Sequence, residues 1–318
     1  MTSSHSKVGV KDYLSLARVD HWVKNLFLFP GLALALAYIR SNPREFTISE
    51  IFARLLLSIV SLCLASSANY TINEWLDRSY DKFHSEKQFR PSVSKALDFR
   101  IVWAQYLTLV VTSLIVANLI SIPVFLLVFS LLFMGVLYNV QPIRLKDRFY
   151  FDVISESVNN PIRVGIGWYV AIDSRLFPAS AFIAFWAAGI FLMGLKRFTE
   201  MNTIQDGESL KLYRKSFNRW TTKKLLCFTL SGAVTTTAFL GILLAGYKIE
   251  YIFLLPSIVF LFQYYFGLAL ESSPEVTAPE DLWRNNHLNL QVSLLIVFFI
   301  LLSFIEIPIL RDLVGFKV

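Results

Sequence analysis

The sequence predicts an all-α, polytopic membrane protein of about nine transmembrane helices. Three observations predict it. The chain of 318 residues is 55% hydrophobic and only 17% charged, whereas a soluble domain carries about 25% charge. Apolar runs near bilayer-spanning length recur along it, separated by short polar connections. Basic residues gather in alternate connections, the bias that orients membrane proteins.

Residues 1–24 are polar and basic, and Lys7, Lys11, Arg18 and Lys24 predict a cytoplasmic N-terminus. No apolar h-region marks a cleaved signal peptide. The segment's end holds His21, Trp22, Lys24 and Asn25. It reads as an interfacial belt anchored by Trp22, or as a lead-in helix over residues 1–25 whose Lys24 and Asn25 reach a binding site. Apolar runs follow at residues 26–39, 51–72, 101–120, 122–140, 151–172, 179–195, 225–246, 251–270 and 288–307. The fifth is the least apolar.

With the N-terminus inside, the cytoplasmic connections are 73–100, 141–150, 196–224 and 271–287, and the first three hold most of the basic residues. Opposite turns are tiny: Ser121–Ile122, Asp173–Pro178 and Tyr247–Glu250. Two connections depart from the rule: 40–50 carries Arg40 and Arg44 outside, and 271–287 is acidic. Long polar loops on one face predict a single crown of function on one transmembrane domain, residues 1–318. The net charge of +7 reports topology and contact with anionic lipid. No basic patch with interleaved stacking aromatics points to nucleic acid. Cys63 and Cys227 lie in apolar runs and imply neither a disulfide framework nor a zinc site.

The crown is organised by Asn73 to Pro91, NEWLDRSYDKFHSEKQFRP, directly after the second apolar run. On a helix, Asn73, Asp77, Asp81 and His84 fall within about 80° of one another. Carboxylates at helical spacing repel, and a divalent cation removes that repulsion. Hard oxygen ligands with room for phosphate suit Mg²⁺. Lys87 and Arg90 follow at once, as a phosphate beside its metal requires. The competing reading is a solvated helix end, with Asp77 and Asp81 paired to Arg78 and Lys82. Against it, the stripe is one-sided and continues out of a membrane helix, where ionisable groups are costly.

Further polar groups follow. Tyr138 to Lys146 closes the fourth run; Pro142 ends the helix, and Arg144 and Lys146 after it read as phosphate ligands or as ordinary loop cations. In the fifth run, Asp152, Glu156, Asn159, Asn160 and Arg163 share one helical face and predict an interior-facing lining. Gly165 and Gly167 suit close helix packing. At the end of the sixth run, Lys196 and Glu200 form an i,i+4 pair beside Arg197. Tyr213 to Trp220 reads as a basic amphipathic helix on the membrane, as a cap on the site, or as a solvated loop helix.

These residues resemble the UbiA superfamily of intramembrane prenyltransferases. Its first motif, N-D-x-x-D-x-x-x-D followed by R-P, matches Asn73, Glu74, Asp77, Asp81 and Arg90-Pro91, with Glu74 where Asp is usual. The resemblance covers essentially the whole chain. It implies a UbiA-like bundle around a central cavity, with the metal site at the cytoplasmic mouth. Within the superfamily, His21-Trp22-Val23-Lys24-Asn25, the motif with His84, Lys87 and Arg90, and Lys196-Arg197 with Glu200 look like the decaprenyl-phosphate phosphoribosyltransferase branch. The usual second D-x-x-x-D motif is absent; only Asp206 and Glu208 stand in that loop. Tyr138 to Lys146 instead looks like the Y-x-x-P-P-x-R-L-K of other members, with Gln141 replacing the first Pro.

The resemblance implies Mg²⁺ on Asn73, Asp77 and Asp81. Asp77, Asp81, Lys87 and Arg90 are the expected catalytic set, and Arg144 and Lys146 neutralise a diphosphate. Lys24, Asn25, His84, Arg163, Lys196, Arg197 and Glu200 complete substrate binding, the cations Lys24, Arg163, Lys196 or Arg197 holding a lipid phosphate. The expected reaction moves phosphoribose from phosphoribosyl diphosphate to a polyprenyl phosphate. The alternative moves a prenyl chain from a prenyl diphosphate to an aromatic or other acceptor. The expected setting is the cell (inner) membrane, with the N-terminus and the loops 73–100 and 196–224 cytoplasmic. From other classes, a transporter would use the same polar groups as a path, but they crowd one face and no inverted repeat is visible. A catalytically dead scaffold would be hinted at by Glu74 alone.

Overall fold

The structure, a computed structural model, describes residues 8–40, 42–83, 87–203, 214–277 and 284–310. Helix α1 (Val10–Ser15) leads through a 3-10 stretch, Val19–Phe27, into α2 (Leu28–Arg40). Then come α3 (Ile48–Asp77), the short α4 (Pro91–Ser94), α5 (Phe99–Asn118) and α6 (Ile122–Asn139). After α7 (Phe151–Ser157) and α8 (Asn159–Tyr169), α9 spans Ala179–Thr203 and α10 Thr222–Tyr247. The chain closes with α11 (Leu254–Leu270), the short α12 (Pro274–Thr277) and α13 (Asn286–Phe304). The architecture is all-α and polytopic.

Among the described residues, eight helical stretches are long and apolar enough to cross a membrane. The predicted fifth span is not one of them, because it is broken into α7 and α8. Pro161 accounts for the break: it has no N–H to offer the Ser157 carbonyl, one turn earlier. The polar stripe in this run also lowers its hydropathy, so the break falls where a span is least apolar.

Local signals fix the other ends. Thr47 and Glu50 form a capping box at the start of α3: Glu50 N–H donates to Thr47 Oγ1 (3.3 Å) and Thr47 N–H to Glu50 Oε2 (2.7 Å). Ser121 caps α6, Thr221 caps α10 and Asn285 caps α13.

Helix α8 lies at the centre, with Pro161 to Tyr169 all buried. It meets α2 at backbone contact distance: a Cβ on Gly31 would strike the Val164 carbonyl, and one on Gly167 the Leu28 carbonyl. Leu28, Leu62, Val128, Ile166 and Trp168 build the core around this crossing. A second cluster joins α9 to α10 and α11 through Phe191, Leu195, Leu225 and Tyr265. Side chains such as Leu107, Leu126, Phe129, Leu294 and Ile300 point outward on the long helices, the apolar exterior that lipid requires.

Two expectations need correction. The stretch from Asn73 does not continue as one helix: α3 ends at Asp77, Tyr80 N–H turns back onto the Asp77 carbonyl (2.8 Å), and Asp81 begins a separate 3-10 turn, Asp81–Phe83. The turn brings Asp81 to Arg90, which a straight helix would not do. The segment around Lys215–Asn218 is neither a surface membrane helix nor a solvated one: it is a 3-10 turn docked on the bundle, with Ser216, Phe217 and Trp220 buried. Trp220, which follows the turn, packs its ring against Phe149, Tyr150 and Phe228.

Candidate active site

Three elements converge where α3 leaves the bundle. Helix α3 delivers Asn73 and Asp77, α6 ends on Asn139, and the turn after Pro142 returns Arg144 and Lys146 over both. That turn contains a cis Gln141–Pro142 bond, and Arg144 sits in the left-handed region at φ 32°.

Lys146 is nearly fully buried. Its ammonium donates to Asn73 Oδ1 (2.9 Å) and Asn139 Oδ1 (2.6 Å), and lies 2.5 Å from Asp77 Oδ1. Burial pushes the Lys146 amine down to about 8, against the pull of Asp77. Arg144 donates to Asp77 Oδ1 (2.7 Å), Asp147 Oδ2 (3.0 Å) and the Asn139 carbonyl (3.0 Å), and lies 4.6 Å from the Tyr80 ring centroid. Arg90 pairs with the buried Asp81 at 2.8 Å. Burial holds the Asp81 carboxyl above its ordinary range even though Lys87 and Arg90 pull it down. Glu74 accepts from Ser92 Oγ at 3.1 Å and lies within electrostatic reach of Arg90 and Asp81.

Below this crown lies a cavity of about 700 Å³. Asn73, Tyr138 and Asn139 line it, so crown and cavity share their boundary residues. Its apolar wall includes Phe27, Leu131, Met134, Leu192 and Val292. Its polar wall includes Lys24, Glu156, Asn159, Asn160, Arg163 and Lys196. Asn25 lies behind the wall: its Oδ1 accepts from Ser66 Oγ (3.0 Å) and from Arg163 Nε (3.1 Å), which aims the guanidinium.

Arg197 does not line this cavity. It is buried among Asp152 (3.8 Å), Glu156 (3.0 Å) and Glu200 (2.8 Å), and donates to Tyr138 Oη at 3.2 Å. Glu200 therefore pairs with Arg197, not with Lys196 as the spacing predicts. Lys196 and Arg197 are neighbours on α9 and so point about 100° apart; one reaches the cavity, the other the ionic hub. Asp152 likewise leaves the predicted lining and accepts from Ser216 Oγ (2.8 Å) and Trp220 Nε1 (3.3 Å), which docks the 214–220 segment. His84, Asp206 and Glu208 lie outside the described residues.

The sequence assigns no role to Asn139 or Asn69, and Tyr138 enters only as the first residue of the stretch Tyr138 to Lys146. Tyr138 Oη donates to Glu156 Oε2 at 2.7 Å, and Asn139 holds Lys146. Both stand immediately before the V-Q-P turn, so polar residues closing a membrane helix were the available signal. Asn69 is one turn before Asn73 on α3 and gave the same signal.

The fold and site define a polytopic membrane protein whose largely apolar cavity opens under a buried cluster of carboxylates and cations. The chain belongs to the UbiA prenyltransferase family, which it matches over residues 27–289, and it is a membrane transferase of that superfamily. It is 26% identical to a decaprenyl-phosphate phosphoribosyltransferase of Mycolicibacterium smegmatis over 240 residues, 72% of each chain. Among solved structures, it resembles a UbiA homologue from Archaeoglobus fulgidus bound to GPP and Mg²⁺, with a TM-score of 0.67 and 18% identity over 92% of this chain and all of that one. It also resembles digeranylgeranylglyceryl phosphate synthase, with a TM-score of 0.64 and 18% identity over 92% of this chain and 98% of that one.

Proposed function

We propose that this chain breaks the C–O bond of a diphosphate ester at the crown and joins the released fragment to an acceptor beside it, one of the two substrates being an isoprenoid lipid in the cavity. One observation carries this reading: Asn73 and Asn139 line the cavity and also contact Lys146 of the ionic crown. A lipid headgroup in the cavity therefore meets the crown directly.

The donor set fits Mg²⁺. Asn73 Oδ1 and Asp77 Oδ1 already converge on a single cationic atom, Lys146 Nζ, and both are hard oxygens. Asn73, Asp77 and Asp81 would hold the ion. When bound, Mg²⁺ offsets charge on the departing diphosphate. The protein's own cations do the rest. Arg144, Lys146 and Arg90 now neutralise carboxylates, and they offer the same N–H donors to phosphate oxygens. The apolar wall excludes water from the reacting carbon.

For the subtype, we favour phosphoribosyl transfer to a polyprenyl phosphate. The C1–O bond to diphosphate breaks, a lipid phosphate oxygen forms the new bond to C1, and diphosphate leaves. The relative from M. smegmatis supports this, and so does the polar wall: Asn159, Asn160, Arg163 and Lys196 suit a hydroxylated, anionic substrate pair better than an aromatic one. The second reading is prenyl transfer to a small acceptor. The solved relatives back this reading better than the first. One binds GPP and Mg²⁺, another is a digeranylgeranylglyceryl phosphate synthase, and each likeness covers 92% of this chain, against 72% for the phosphoribosyltransferase. Positive charge in three loops at the crown end supports a cytoplasmic crown in the cell membrane.

The test incubates purified protein with Mg²⁺, polyprenyl phosphate and radiolabelled phosphoribosyl diphosphate. Label should enter the lipid phase with the wild type and not with Asp81→Asn. If no label transfers but a prenyl diphosphate is consumed with an aromatic or other acceptor, the second reading replaces the first.

A further inference from the structure

Arg90 meets Asp81 at 2.8 Å, but its backbone belongs to another element. It is the N-cap of α4, and the following Pro91 restricts it to extended torsions, φ −62° and ψ 145°. Its carbonyl accepts from the N–H groups of Val93 and Ser94, both at 2.9 Å, and from the Ser94 hydroxyl at 2.9 Å. Arg90 and α4 therefore form one piece. Whatever holds α4 also places the guanidinium.

Two neighbours hold that piece. On the α3 side, Ser92 Oγ donates to Glu74 at 3.1 Å. On the other side lies α1. Lys95 Nζ pairs with Asp12 Oδ1 at 2.7 Å, and Asp98 N–H donates to Tyr13 Oη at 2.9 Å. Leu16, just past α1, is fully buried in a small cluster with Leu97 and Val102, flanked by Tyr13 and Trp75. Asp12 is itself fixed, because its Oδ2 accepts from Gly9 N–H at 2.8 Å. The ion pair is partly shielded, with Asp12 14% and Lys95 25% exposed, so solvent weakens it less than an open surface pair. A helix of six residues is not stable by itself. The contacts that keep α1 in place are made to the segment that carries Arg90.

We propose that α1 is a clasp that pre-places Arg90 for the diphosphate, with Asp12 and Tyr13 as its positioning residues. This rests on the reading of Arg90 as a diphosphate ligand. A guanidinium held in place before the ligand arrives binds it more tightly than one that must first be ordered. The clasp acts through Arg90 and touches no phosphate itself.

The experiment is titration calorimetry on the full chain in detergent, with Mg²⁺ present and inorganic diphosphate as the probe. Arg90→Gln should weaken diphosphate at least tenfold. Lys95→Met, Asp12→Asn and Tyr13→Phe should each weaken it at least threefold, and Lys95→Met combined with Tyr13→Phe at least tenfold. Lys95→Arg can still pair with Asp12 and should bind within twofold of the wild type. Hydrogen exchange over residues 91–98 should quicken in Lys95→Met, Asp12→Asn and Tyr13→Phe. Tyr13→Phe removes a single hydroxyl, so it tests the clasp even if an ion-pair variant fails to fold. Asp12→Asn separates two roles for Lys95. If Lys95 bound the diphosphate itself, neutralising its partner would tighten binding, and that outcome would overturn the clasp. Wild-type affinity in Tyr13→Phe and in the double variant, beside weakened binding in Arg90→Gln, would also overturn it and keep Arg90 as a ligand. Wild-type affinity in Arg90→Gln would instead remove Arg90 from the proposed diphosphate site, and the clasp with it.

Discussion

Lys146 Nζ lies 2.5 Å from Asp77 Oδ1 and within hydrogen-bond reach of Asn73 and Asn139, so three acceptors surround one ammonium. A tetrahedral ammonium with three N–H bonds matches three acceptors at a point; a planar guanidinium does not. Lys146→Arg should therefore behave as a disruptive change. We expect turnover to fall at least tenfold while the protein still elutes as a single species on size-exclusion chromatography. Turnover within twofold of the wild type would show that only the charge at this position matters.

Asp77→Asn and Asp81→Asn should each abolish transfer and leave the protein folded in the membrane. Both are nearly isosteric, so packing survives, while a hard anionic ligand is lost. Asp81 is buried and pairs with Arg90; its amide would still accept from Arg90, which limits the cost in stability. Activity measured together with thermal unfolding in detergent separates these effects. Wild-type turnover in either variant would end the metal assignment.

Most spans were legible because lipid demands long apolar runs, but the fifth run is broken into α7 and α8, and α9 continues to Thr203, well past its apolar run. The site was legible where residue type alone carried the chemistry: Asn73, Asp77, Arg144 and Lys146 do meet. Direction was not legible. Composition says that Lys196 and Arg197 leave the membrane together, but α9 turns one toward the cavity and the other into a hub with Asp152, Glu156 and Glu200. Nor does spacing show that α3 stops at Asp77, because that depends on Arg90 returning from further along the chain to meet Asp81. Partners distant in sequence decide such points.

Glu74 occupies the position where the family motif has Asp, and its carboxylate accepts a hydrogen bond from Ser92 but makes no ion pair with a crown cation among the described residues. Glu74→Gln keeps the shape and still accepts the Ser92 hydrogen bond. We expect turnover within about threefold of the wild type and an unchanged Mg²⁺ requirement. A loss comparable with that of Asp77→Asn would place position 74 among the metal ligands.

Arg197 binds three carboxylates, and removing it strands them in a buried setting. Breaking a buried ion pair from one side costs about 3 to 5 kcal/mol. Arg197→Ala should lower the melting temperature by many degrees in detergent. It should also loosen the 214–220 segment, because Asp152 holds Ser216 and Trp220 while it contacts Arg197. Faster trypsin cleavage near Arg214 or Lys215 would report that release. An unchanged melting temperature would mean that the hub contributes nothing to stability.

At the opposite end of the bundle, Arg54 closes two helix ends at once. Its guanidinium donates to the carbonyls of Ile120 (2.9 Å), Tyr169 (2.7 Å) and Val170 (2.9 Å), and pairs with Asp173 at 2.8 Å. The last carbonyls of a helix lack partners within it, and a cation there also complements the helix dipole. Asp173 N–H is in turn held by Glu45 (2.7 Å), which ties the α2–α3 connection to the end of α8. Arg54→Ala should destabilise the protein by about 2 to 4 kcal/mol, from several charge-assisted hydrogen bonds lost together. Asp173→Ala should cost less, because the three carbonyls keep their donor. The double variant should cost little more than Arg54→Ala alone, since both changes break the same pair. Because this lock lies across the bundle from the crown, KM for the diphosphate substrate should not move in any of the three. A change in KM that tracked the loss of stability would show that the two ends of the bundle are coupled through α8.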